Sequence, residues 1–197
     1  PVAGQIYSDL LAELWTQGMT GADITGGTAN VWVLNGYSGT QSWTALTDIS
    51  GSGASLTAGT GFLVYVFADT DADGDSDLPV SLSVSGSENS SSATIGSIAN
   101  TKYALVGNPY YTTIDWDDIS PTNLSATTYV WDSQAGTPAF ISWNGSSGSL
   151  LGGLIAPFQG FWVEASGGTG SVTIETADKS TSSGAFYRTL DNDSTGS

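Results

Sequence analysis

The chain contains neither cysteine nor histidine. Without thiols there is no disulfide, no thiolate nucleophile and no cysteine-ligated zinc or iron–sulfur centre. Without imidazole the usual general base and the commonest metal ligand are both gone. Ser-His-Asp hydrolysis and HExxH zinc chemistry are excluded, and hard, oxygen-liganded cations are the natural metals that remain. Positive charge is almost as scarce. Lys102, Lys179 and Arg188 stand against 19 Asp and Glu, a formal net charge of −16. Three scattered cations cannot replace the counterions of a phosphate backbone, so nucleic acid is not an expected partner, and an anionic membrane surface is disfavoured for the same reason. No apolar run approaches the ~18–20 residues that a membrane-spanning helix needs. An acidic surface nearly free of lysine suits saline surroundings, where screening suppresses self-repulsion. The N-terminus has no basic or apolar region of an export signal, so any such signal is expected to have been removed or to lie upstream.

What the sequence does contain is β chemistry. Asp outnumbers Glu 15 to 4, and Gly, Ser and Thr are abundant between β-branched and aromatic runs. Strands are expected at 30–34, 42–46, 61–68, 80–85, 103–107, 128–131, 139–143, 160–165 and 171–176. Short runs at this spacing, separated by turn residues, predict an all-β antiparallel sandwich. One short N-terminal helix is expected over 9–15, with Ser8 as its cap and Leu10, Leu11, Leu14 and Trp15 on one face.

The chain also repeats itself. GTQSW at Gly39 matches GTPAF at Gly136, and AGTGFLVYV at Ala58 matches PFQGFWVEA at Pro157. PVAGQIYSDLL at Pro1 matches PYYTTIDWDDI at Pro109, with Pro, Ile and Asp in register. Both halves end in an alternating run, LPVSLSVSG and SVTIET. This predicts two related β units: a first over 1–86, a linker over 87–100, a second over 101–180 and a tail over 181–197. The second unit is led by the strand YALVG at Tyr103, whereas the first starts at the equivalent proline. Its sheet is expected to lack one strand and to expose an unpaired edge, with that strand either lying in sequence removed from this chain or replaced by another segment in the slot. GAFYRTL, from Gly184, has no counterpart in the repeat. Its residues Ala185, Phe186, Tyr187, Arg188 and Leu190 are the candidate donor strand, which would join copies of the chain head to tail.

LVGNPYYTTIDWDD (from Leu105), TYVWD (from Thr128) and IAPFQGFWVEA (from Ile155) resemble the β repeats of large bacterial surface proteins exported by the type IX secretion route. The first unit is similar to the same pattern without its leading strand, and the two together cover most of residues 1–180. Phe158 stands where such repeats usually carry Gly, and no C-terminal sorting domain is recognisable. The resemblance implies an extracellular, cell-surface, non-enzymatic role as adhesin, stalk or scaffold.

The stretch DTDADGDSD places Asp69, Asp71, Asp73, Asp75 and Asp77 at every second position. It resembles the calcium loop of thrombospondin type 3 repeats, D-x-D-x-D-G-x-x-D. Calcium takes six to eight oxygens, and alternating carboxylates around a glycine turn supply several of them. Val80 occupies the place of the bidentate Glu of an EF-hand, so the loop is not one. The alternative is a solvated acidic turn. The second unit has only SGGTG (from Ser166) at the matching place, so the acidic run is specific to the first. Calcium there would lock a turn between strands.

Asp115, Asp117 and Asp118 flank Trp116 and could suggest a glycosidase pair, but sequence neighbours rarely reach the separation that two catalytic carboxyls need. A helix start, with Asp on the N-terminal dipole, explains them better. Tyr37, Tyr110 and Tyr111 lie in turn-like sequence and form the candidate ligand surface, for example for surface glycans. Trp32, Trp43, Tyr65, Trp116, Trp131, Trp143 and Trp162 could form a carbohydrate platform, but most sit among apolar strand neighbours, where large aromatics usually fill cores or interfaces. The expected function is a secreted, calcium-stiffened structural subunit of a filament or layer that assembles by strand addition. The alternatives are an adhesive or carbohydrate-binding module and, last, a glycosidase.

Overall fold

The structure, a computed structural model, describes residues 1–133 and 136–187. It is built of antiparallel sheets with one short α-helix. Eleven strands are found among the described residues: β1 (Val31–Asn35), β2 (Ser42–Ala45), β3 (Phe62–Val64), β4 (Ala93–Ile98), β5 (Tyr103–Gly107), β6 (Ile114–Asp115), β7 (Thr128–Asp132), β8 (Ala139–Trp143), β9 (Leu154–Ile155), β10 (Gly160–Glu164) and β11 (Gly170–Ile174).

The second unit is a closed two-layer body. Its main sheet runs β5-β10-β7-β8, and a ribbon of β11 and β4 covers one face. Strand alternation does the sorting. Val172 and Ile174 of β11 and Ile95 and Ile98 of β4 point at Ala104, Val106, Val130, Phe161 and Val163 of the main sheet. Tyr110, Ile114, Trp116, Ile119, Leu150, Ile155 and Ala165 complete a core of 16 buried residues. Asn108 is the clamp of the NPYY turn. Its buried amide donates to the carbonyls of Thr112, Ile155 and Ala156, while its Oδ1 accepts the Tyr110 amide.

The first unit repeats this plan in part. Its sheet runs β2-β1-β3, which matches β8-β7-β10 in the second unit. The short α1 (Tyr7–Leu10) stands where the second unit has a 3-10 turn at Trp116–Asp118. Likewise the turn Ser52–Ala54 answers Leu151–Gly153. The Ile6–Ser55 bridge answers the pairing of β6 with β9. No counterpart of β5 is found among the described residues. The start of that position is taken by β5 itself, through Gly61 N to Leu105 O (3.1 Å) and Gly107 N to Gly59 O (2.9 Å). Gly61 is required here, since a Cβ would fall 2.5 Å from Leu105 Cγ. The Gln41 amide closes the rest of the β5 edge, donating to Tyr103 O and accepting from Tyr103 N. Beyond this point, no strand among the described residues pairs with the far side of β3.

Three expectations need correction. The helix expected over 9–15 is a single turn, because a seven-residue helix is marginal in water and the chain turns again between Leu11 and Leu14. Both leucines still reach the first core, beside Tyr7, Met19, Val31, Ile49 and Ala54. The segment 87–100 holds strand β4, which pairs with β11 and seals the second unit. The alternating stretch 80–85 forms no strand, because the partner that β11 finds in β4 has no equivalent beside it.

Candidate functional site

The acidic loop leaves the end of the first unit's sheet and returns through Asp77 N to Ala68 O (2.9 Å). Left-handed backbone at Ala72 (φ 64°) and Gly74 (φ 103°) winds the chain around its carboxylates. Asp69 accepts the amides of Ala72 (2.6 Å) and Gly74 (3.0 Å), and Asp77 accepts the amide and hydroxyl of Thr70 (2.6 and 2.8 Å). In this arrangement Asp69, Asp71 and Asp77 each offer an oxygen within 4.8 Å of the others, so the group could hold a metal ion. Oxygens within that distance of one another can share one calcium ion at bonds of ~2.4 Å. Asp73 and Asp75 stand outside the group, and Asp73 Oδ1 instead faces the Asp75 amide. Electrostatics divide the loop. The neighbouring Asp73 charge pushes the Asp71 carboxyl up from its ordinary value, whereas the Thr70 amide holds Asp77 down.

The candidate ligand tyrosines are not brought together. Tyr110 is fully buried, a correction to the turn-surface expectation. The Asn108 clamp turns its ring inward, its hydroxyl donates to Ser91 O and Ile174 O (3.2 Å each), and Lys179 Nζ lies 4.7 Å from the ring centre. Tyr37 is half-buried against the second unit's core. Tyr111 alone is well exposed, at 57%.

An exposed aromatic surface does exist, and it includes Trp43, Trp131 and Trp162, which the sequence assigns to cores or interfaces. Trp131 of β7, Phe140 of β8 and Trp162 of β10 lie on the outer face of the second unit's main sheet, and Trp43 of β2 abuts them. Ring centres are separated by 4.9 Å (Trp131–Phe140), 6.4 Å (Phe140–Trp162) and 5.8 Å (Trp162–Trp43). Tyr103 and Glu164 face each other across β5 and β10 at one end. The signal was available in β7, where Tyr129 and Trp131 alternate with the buried Val130. Only the sheet shows which side is covered.

Asp115, Asp117 and Asp118 are engaged as a turn start. Asp115 accepts the Asp117 amide (3.0 Å), and Asp117 accepts the Trp143 indole N–H (2.8 Å). Burial raises Asp115, but no second carboxyl is placed opposite it across a cleft among the described residues. The donor-strand candidates divide. Ala185 and Phe186 are exposed, while Tyr187 packs on the second core, donates to Gln159 Oε1 and accepts from Ser133. Gly184 rests on the backbone of Leu154, with no room for a Cβ. Arg188 and Leu190 lie outside the described residues.

Fold and site together define an antiparallel β protein of two related units, one closed and one open, with an acidic loop able to hold a cation. Compared with known proteins, the chain matches no family model, no curated protein and no solved structure.

Proposed function

We propose that the chain is a secreted, non-enzymatic structural subunit of a cell-surface filament or layer. The carrying observation is the unfilled strand position of the first unit, where β3 ends the sheet and 80–85 lies unpaired. An open edge of this kind is a template for strand addition from another chain. The segment after Tyr187, which has no counterpart in the repeat, is the donor, with Tyr187 held on its own core as the anchor, and a neighbouring copy is the acceptor. Calcium at Asp69, Asp71 and Asp77 stiffens the turn next to the open edge and offsets the repulsion among its carboxylates. The resemblance to type IX-exported surface repeats supports the extracellular location. The lack of His and Cys, with Asp115 and Asp117 tied into a turn, supports a role without catalysis.

Sedimentation and electron microscopy of the purified chain test this reading, alongside a chain ending at Tyr187. The intact chain is expected to form concentration-dependent oligomers that the shortened one does not. An intact chain that stays monomeric at high concentration, with calcium and salt present, contradicts it. The exposed aromatic row favours a second reading, an adhesive module.

A further inference from the structure

We infer that the outer face of the sheet β5-β10-β7-β8 binds a single chain of neutral polysaccharide along the row Trp131, Phe140, Trp162 and Trp43. Phe140, Trp43 and Trp131 are 54%, 39% and 37% exposed, far more than aromatics of a sheet face that is covered. Phe140, Trp131 and Trp162 stand on β8, β7 and β10, in that order across the sheet, and Trp43 on the abutting β2, so their positions are fixed by backbone pairing and not by mobile loops. Phe140 lies 4.9 Å from Trp131 and 6.4 Å from Trp162, and Trp43 lies 5.8 Å from Trp162, spacings comparable with the length of one pyranose unit. A pyranose with equatorial hydroxyls presents a face of axial C–H groups, which packs on an aromatic ring while its hydroxyls stay at the edge. Glu164 and Tyr103, cross-strand neighbours two residues along β10 from Trp162 on the same face, can bond those hydroxyls.

Size and charge select this occupant. The three exposed side chains Phe140, Trp43 and Trp131, at 54%, 39% and 37% of 150–250 Å² each, offer roughly 200–300 Å². A stable protein partner needs about 800 Å² per side, so a second copy is poorly matched to this face. The net charge of −16 disfavours an anionic polysaccharide. Ring orientation narrows the ligand further. Neighbouring rings are turned by 70°, 87° and 88°, so the row is not a flat platform for a crystalline surface. It suits one chain free to rotate about its glycosidic bonds. The inference does not depend on strand addition, which uses the opposite, first-unit edge.

Native gels containing hydroxyethyl cellulose, galactomannan, laminarin or alginate test it, with pull-down on crystalline cellulose in parallel. At least one of the three neutral polymers is expected to retard the chain. Phe140→Ala and Trp131→Ala are each expected to weaken that binding about tenfold. Tyr111→Ala, remote from the row, is expected to leave it unchanged, and Phe140→Tyr to retain most of it. Phe140 is half exposed, so its variants are expected to keep the parent melting temperature, which guards against misreading a folding defect. Retardation by none of the neutral polymers, by alginate equally, or without loss in both alanine variants overturns the proposal. So does tighter capture by crystalline cellulose than by any soluble polymer. A dimer that Phe140→Ala dissolves would assign the face to self-association and overturn it too.

Discussion

β11 of the second unit and residues 80–85 of the first carry the same alternating pattern and meet opposite ends. Val172 and Ile174 are buried against the main sheet, with β4 hydrogen-bonded alongside. In LPVSLSVSG, Val80 touches the first core while Leu82 is 46% exposed, and no strand forms. Alternation gives a segment one apolar face, but a strand also needs a neighbour for its N–H and C=O groups. The second unit contains that neighbour and the first does not. The cores differ accordingly, with 16 buried residues against seven among those described.

Paired substitutions put numbers on this contrast. Ile174→Ala removes a fully enclosed side chain and is expected to cost about 3 kcal/mol, whereas Leu82→Ala should cost less than about 0.5 kcal/mol. Denaturant unfolding measures both, and equal losses would erase the distinction between a closed and an open unit. Calcium should act on the first unit alone. At a hundredfold excess over its dissociation constant the ion adds about 2.7 kcal/mol, and a chelator should lower the melting temperature by a few degrees. Asp69→Asn should abolish that shift, and a melt that ignores the chelator would remove calcium from the account.

A smaller difference lies at one repeated position. Gly59 (φ 82°) and Phe158 (φ 61°) adopt the same left-handed backbone in the two units, but only the first has the residue suited to it. Phe158→Gly should stabilise the chain by up to about 1 kcal/mol. Gly59→Ala should destabilise it by about 1–2 kcal/mol, since its Cβ would also lie 2.9 Å from that of Ala93. Thermal melts of the two variants should move in opposite directions.

Much of the architecture was legible in the residues. The strands at 103–107 and 139–143 match the expected bounds, and the repeat relates the sheet β2-β1-β3 to β8-β7-β10. The hidden parts share a cause, which is that one sequence cannot say what lies opposite. ATIGSI in β4 carries a Gly and a left-handed Ser97 (φ 59°), so its pattern is too broken to separate from a linker. Tyr110 sits in turn sequence yet is buried, because Asn108 ties the turn to Ile155 and Ala156, 47 and 48 residues away. Trp131 and Phe140 look like core because β7 and β8 are apolar on both faces. In the acidic loop, every-other spacing located the carboxylates, but the turns at Ala72 and Gly74 chose Asp69, Asp71 and Asp77 from the five.

Hydrogen exchange of the dilute, monomeric chain tests the unequal completion of the two units most directly. The account predicts strong protection of the amides of β10 and β11, with residues 80–85 exchanging close to the rate of an unstructured chain. Matching protection of 80–85 and 170–174 in the monomer would contradict it, because the first unit would then hold a partner strand of its own.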